Sequence, residues 1–79
     1  DEIESAKKQI ALAKANVEKA KEGLRLRELS YHAGTGTILE VKEAITQLHN
    51  AQLAVSNAIT SYNLKILEYH KAVNLGTIS

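Results

Sequence analysis

The chain has 79 residues, a formal net charge of +1 and no Cys, Pro, Phe, Trp or Met. A chain this short forms one domain at most and buries a limited core, and without Cys it has neither disulfides nor thiolate metal sites. Ala, Leu, Ile, Lys and Glu dominate, which is typical of long helices. The balanced charge gives no basic footprint for nucleic acid, and no apolar run reaches the ~20 residues of a membrane span. We therefore expect a helical segment with no nucleic-acid partner and no membrane insertion of its own.

Two helices and one turn are predicted in chain order. The first helix spans about 3–31, where apolar residues recur every seven positions with alanines between them. A turn follows at 32–37, because the closely spaced glycines Gly34 and Gly36 can adopt the positive φ angles that turns use. The second helix spans about 38–75. Thr37 and Glu40 form a T-x-x-E capping box at its start, and Gly76 is a candidate stop.

Folding the chain back at the glycines makes the two apolar rows meet. The expected pairs are Leu24 with Ile45, Val17 with Gln52, Ile10 with Ile59, Ile3 with Ile66, Ala20 with Leu48, Ala13 with Val55, and Ala6 with Tyr62. Small residues on one helix then oppose large ones on the other, as close packing of helices requires. The predicted fold is all-α, an antiparallel two-helix coiled-coil hairpin.

The apolar face is wider than one seam of a two-helix coil needs. Leucines and alanines flank the main rows on both helices: Ala11, Leu12, Ala15, Leu26, Ala44, Ala51, Leu53, Ala54, Ala58, Leu64 and Leu67. A hairpin with so few bulky residues is marginal alone, so we expect it to assemble into a larger helical bundle or α-barrel. The oligomeric state of the isolated segment stays open between a dimeric four-helix bundle and a trimer.

No residue pattern indicates an enzyme or a cofactor site. Phosphate-binding loops, nucleophile elbows and dinucleotide fingerprints are absent from the sequence. The three histidines are too widely spaced along the predicted hairpin to share a metal. Glu40 and Glu43 lie three apart at the start of the second helix, where capping and favourable N-terminal charge suffice to explain them. The sharper alternative is an acidic ring in an oligomer, and in an oligomer both can hold.

Residues 31–44, which read Y-H-A-G-T-G-T-I-L-E-V-K-E-A, resemble the repeat of TolC-type outer-membrane efflux proteins. That repeat reads roughly Y-x-x-G-x-x-[ST]-x-x-[DE]-V-L-[DE]-A. The alanine-rich approach to Tyr31 and the long trailing helix resemble its flanks, so the likeness covers nearly the whole chain. The resemblance implies a structural part of a trimeric efflux or secretion tunnel in the Gram-negative outer membrane, with this chain as an excised periplasmic portion.

The resemblance also implies roles for particular residues. The turn would be the tip that contacts a periplasmic adaptor protein of a tripartite pump, through Ala33, Gly34, Thr35, Gly36 and Thr37. Glu40 and Glu43 would set the charge of the tunnel constriction, and Tyr31 would pack or hydrogen-bond across the tip. A generic coiled-coil oligomerisation module, or the hairpin of an adaptor, is the alternative function, and it predicts binding through the long seam rather than the turn.

Overall fold

The structure is a computed structural model that describes the backbone of residues 1–78 and the side chains of residues 1–73. Two helices, α1 (Glu2–His32) and α2 (Ile38–Ile78), lie side by side and antiparallel. The Cα atoms occupy an elongated layer of 69 × 16 × 11 Å. The predicted all-α hairpin is confirmed.

The N-terminus of α1 is capped by a side chain, and both helices end later than the sequence predicted. Asp1 is the N-cap, and its Oδ1 accepts a hydrogen bond from the backbone N–H of Glu4 at 2.8 Å. The helix runs one residue beyond the expected limit at each end. At the far end of the chain the expectation of a stop at Gly76 is wrong, because α2 continues to Ile78. Glycine inside a helix costs only about 1 kcal/mol relative to alanine, so it weakens a helix without ending it.

Alanines dominate the seam between the helices. The buried apolar residues among those described are Ala6, Ala13, Val41 and Ala44. Half-buried residues continue the same stripes on both helices: Ile3, Ile10, Val17, Ala20, Leu24, Leu48, Ala51, Val55, Ala58, Tyr62 and Ile66. The seam is thin, since no large side chain in the described part of the chain is fully buried.

Shared surface depressions show which parts of the two helices lie side by side. Val17 lines one depression together with Gln52 and Val55, and Ala6 lines another together with Ala58. In this alignment the buried residues of α1 among those described are Ala6 and Ala13, and such small side chains let the backbones approach closely.

One row of α2 does not lie where the sequence suggested. Ile45 and Ile59 were expected in the seam, yet each remains 39% exposed, and Gln52 is exposed at its rim. The alanines one residue earlier, such as Ala44, take the inward positions instead. Small side chains at the contact bring the helices closer than isoleucines would, so α2 turns its alanine row inward. The isoleucine row is thereby left on one broad face of the hairpin.

Apolar side chains also lie along the outer edges of the layer. The leucines that are more than half exposed, among the side chains described, are Leu12, Leu26, Leu29, Leu39, Leu53, Leu64 and Leu67. Among the described residues, neither helix carries a stretch long and apolar enough to cross a membrane.

Candidate functional site at the turn

The end of α1 closes in a Schellman motif. The N–H of Thr35 donates to the carbonyl oxygen of Ser30 at 2.9 Å, and the N–H of Gly34 donates to that of Tyr31 at 3.1 Å. These are the two backbone bonds that define the motif, with Gly34 at its left-handed position. The hydroxyl of Thr35 and the N–H of Gly36 also donate to Ser30, at 3.2 and 3.0 Å. Three donors on one carbonyl hold the loop against the end of the helix.

The two turn glycines are required for different reasons. Gly34 has φ +83°, which is the left-handed region that side chains with a Cβ rarely adopt. Gly36 is needed for space, because a Cβ there would lie 3.0 Å from the Cβ of Ser30 and 3.3 Å from the nitrogen of Tyr31. The sequence predicted that both glycines belong to a turn. The structure shows that Gly34 is needed for its positive φ and Gly36 for the space beside Ser30.

The predicted capping box is present at the start of α2. The N–H of Glu40 donates to Thr37 Oγ1 at 3.2 Å, and the N–H of Thr37 donates to Glu40 Oε1 at 3.1 Å. The hydroxyl of Thr37 also donates to the same carboxylate oxygen, at 3.2 Å. The reciprocal bonds satisfy donors that the first turn of a helix leaves without partners.

The second oxygen of Glu40 reaches across to α1. Arg27 Nη1 donates to Glu40 Oε2 at 3.1 Å, and the two side chains remain 56% and 42% exposed. Sequence reasoning missed Arg27 as a functional residue. It lies seven residues after Ala20 in the seam row, so the register places it opposite the start of α2 and could have revealed the pair. Glu40 thus joins the helix cap and the two helices through one carboxylate.

The other predicted site residues lie close to this turn with fewer contacts. Glu43 is exposed, one turn further along α2. The ring of Tyr31 lies edge-on to that of His32, with 5.7 Å between their centroids, and is 42% exposed. Ala33 caps α1 and donates its N–H to the carbonyl oxygen of Leu29 at 3.0 Å. The turn residues therefore share one end of the hairpin, and their binding roles stay predictions.

The described part of the turn offers few ionisable side chains. Among the residues described, no three His, Cys, Asp or Glu side chains converge on a point that could hold a metal ion. The carboxylate of Glu40 is engaged on both oxygens, and the remaining polar groups of the turn are backbone amides and hydroxyls. What the turn presents chemically is a short, backbone-rich knob with a fixed conformation.

Comparison with known proteins gives one match. The family model described as outer membrane efflux protein matches residues 2–67, which include α1, the turn and most of α2. Neither the comparison with curated proteins nor that with solved structures finds a match. The match spans most of the chain, and the hairpin geometry agrees with the repeat in residues 31–44. The chain therefore belongs to the outer membrane efflux protein family.

Proposed function

We propose that this hairpin is the periplasmic tip of an outer-membrane efflux duct, a structural component that carries out no bond chemistry. The observation that carries the proposal is the rigid, exposed turn within a hairpin that matches this family of transport components. The remainder of the duct, including whatever crosses the membrane, belongs to other segments of a longer protein in this proposal.

The turn 33–37 is the proposed contact for a periplasmic adaptor protein. Its residues have small side chains and, except for the half-buried Gly36, are exposed. The Schellman motif and the capping box fix the backbone on both sides of the knob. A partner that binds a preorganised turn loses less conformational entropy on ordering it.

Glu43 is the better candidate for the charge at a tunnel constriction. Glu43 is exposed, whereas Glu40 is half-buried and its carboxylate accepts hydrogen bonds from Thr37 and Arg27. Under this proposal, Glu40 maintains the shape of the tip and contributes charge only secondarily. In a trimeric duct, three copies of Glu43 would form an acidic ring that favours cations at the mouth.

The outer edges of the hairpin support its place in a wall of helices. Leu12 and Leu26 are exposed on α1, while Leu53 and Leu67 are exposed on α2. Exposed apolar side chains on opposite edges of a layer suit neighbours on both sides, as a barrel of helices provides. The proposed partners are other helices of the same trimer.

Site-specific crosslinking from Thr35 and from Leu53 tests the tip assignment. The parent efflux protein would carry a photoreactive residue at one position or the other, in the presence of its adaptor. Crosslinks to the adaptor from Thr35 and not from Leu53 are expected. Crosslinks confined to Leu53 would instead support the alternative function, a coiled-coil interaction module that binds through its long side, for which the exposure of Leu53 is the favouring observation.

A further inference from the structure

The two carboxylates at the start of α2 differ in their nearest charges. Glu40 Oε2 accepts a hydrogen bond from Arg27 Nη1 at 3.1 Å, so a positive charge lies directly beside it. Glu43 lies one turn further along the helix, is exposed, and makes no ion pair with the described part of the chain. At this end of the hairpin, one carboxylate is therefore neutralised by its neighbour and the other keeps its full charge.

The Glu40 carboxylate is held in place from two sides. Its other oxygen, Oε1, accepts hydrogen bonds from the N–H and the hydroxyl of Thr37, at 3.1 and 3.2 Å. Those bonds belong to the capping box of α2, whereas Arg27 lies on α1, so the ion pair joins the two helices. Lys42, the cation nearest to Glu40 in the sequence of α2, lies about 200° around that helix from it. Arg27 is therefore the cation that compensates Glu40.

From this arrangement we infer that Arg27 sets the charge of the proposed constriction by cancelling the charge of Glu40. Each copy of the hairpin then contributes one unpaired carboxylate, that of Glu43. The inference rests on the proposed function, which places this end of the hairpin at the mouth of a duct. It names the residue that determines how strongly the mouth prefers cations, and Arg27 has this effect without contacting the solute.

Coulomb's law explains why an ion pair and a single charge act so differently on a passing ion. Two opposite charges in contact nearly cancel for an ion several times further away, whereas a lone carboxylate acts with its full charge. At about 10 Å in water, one unit charge changes the local concentration of a monovalent ion about twofold. Removal of Arg27 doubles the number of unpaired carboxylates at the mouth. In dilute salt, where the Debye length approaches about 30 Å, the effects of these carboxylates add.

Arg27 can be replaced with little change in the shape of the turn. The side chains of Arg27 and Glu40 are 56% and 42% exposed, and ion pairs in such positions contribute little to folding. After Arg27→Gln, both bonds from Thr37 to Glu40 Oε1 remain, so α2 keeps its cap. A change in ion preference then reports the charge at the mouth rather than a collapsed turn.

Ion selectivity of the parent efflux protein in planar lipid bilayers tests the inference. The reversal potential in a gradient of dilute KCl gives the permeability ratio of K⁺ to Cl⁻. Arg27→Gln is expected to raise this ratio at least about twofold, and Glu40→Gln is expected to lower it, because that variant leaves the charge of Arg27 unpaired. The double variant Arg27→Gln with Glu40→Gln is expected to return to the ratio of the unmodified protein. A purely structural role of the ion pair would not give this return, since the double variant lacks both partners.

Two further variants complete the design. Arg25→Gln is the matched control, because it removes the same charge from α1 but Arg25 pairs with Glu22, at 2.7 Å, and lies about 200° around the helix from Arg27. It should leave the ratio unchanged. Glu43→Gln tests the proposed constriction itself and should lower the ratio.

The outcomes separate the inference from the proposed function. If Glu43→Gln lowers the ratio but Arg27→Gln behaves like Arg25→Gln, or the double variant does not return to the unmodified value, the inference is overturned and the constriction stands. If neither Glu43→Gln nor Arg27→Gln changes the ratio, the inference and the proposed constriction are both overturned.

Discussion

At the scale of single residues, the turn owes its shape to a few small groups with distinct tasks. Gly34 supplies a positive φ, Gly36 supplies room beside Ser30, and Thr37 starts α2. Their neighbours contribute backbone groups together with the hydroxyl of Thr35 and the carboxylate of Glu40. The stability of the turn should therefore respond sharply to substitutions at these positions and weakly to changes at the charges around them.

Adding a methyl group should have opposite effects at two glycines. Gly36→Ala places a Cβ 3.0 Å from that of Ser30 and should lower the free energy of unfolding. Gly23→Ala meets no atom within 4 Å and should raise it by about 1 kcal/mol, because alanine is the better helix former. Urea titration followed by circular dichroism, at one fixed protein concentration, measures both. Stabilisation by Gly36→Ala would contradict the close approach seen here.

The capping box and the ion pair at Glu40 should differ in strength. Thr37→Ala removes the hydroxyl that accepts from Glu40 and should cost about 1 kcal/mol, as loss of an N-cap does. Arg27→Gln removes an ion pair between two half-exposed side chains, and exposed pairs contribute less than about 1 kcal/mol. The same titration compares them, and a larger loss for Arg27→Gln would show that the link between helices outweighs the cap.

At the scale of the helix pair, the seam works by alternating size. Ala13 is buried against α2, whereas Ala15 is exposed two residues later. A leucine at an alanine of the seam has no space without pushing the helices apart. The same substitution on the exposed side meets solvent.

Ala13→Leu and Ala15→Leu therefore form a matched pair. Overpacking at Ala13 should destabilise the hairpin by about 1–3 kcal/mol, and Ala15→Leu should be close to neutral. Thermal unfolding of the two variants at equal concentration provides the comparison. Equal melting temperatures would mean that the alanine row is not the contact between helices.

The heptad pattern predicted the hairpin and the inward alanines of α1, but not which face of α2 turns inward. The burial of Ala6 and Ala13 was expected from spacing alone. The remaining row was assigned to Ile45 and Ile59 because isoleucine is the more apolar choice. A shift of one residue exchanges that row for alanines, and periodicity cannot separate the two, since both spacings fit a heptad. The distance between the two helix backbones decides whether the alanine row or the isoleucine row faces α1. That distance is set only when the two helices pack together.

The candidate site likewise has features that the sequence predicted and one contact that it did not. The glycines and the capping box follow local rules, so their positions were readable from a few neighbouring residues. The Arg27 contact joins residues 13 apart and depends on register, so local patterns did not reveal it. Residue roles towards an adaptor come from the family resemblance and await experiment.

At the scale of the whole molecule, the hairpin is a rigid rod with a backbone-rich knob at one end. Its seam is thin, its edges are apolar, and its turn is held by hydrogen bonds from both helices. Under the proposed function, neighbouring helices stabilise this rod and its exposed end meets a partner. The proposed division between wall and tip rests on this shape together with membership of the outer membrane efflux protein family.

Adaptor binding by a Gly34→Val variant of the parent efflux protein tests the central claim most directly. A β-branched residue at φ +83° cannot keep the turn, so the tip should change shape while both helices persist. Gly23→Ala is the control, because it alters a glycine without touching the turn. We expect co-purification of the adaptor to fall for Gly34→Val and to be unchanged for Gly23→Ala, with assembly of the duct retained in both. Undiminished adaptor binding by a correctly assembled Gly34→Val protein would contradict the assignment of the turn as the contact tip.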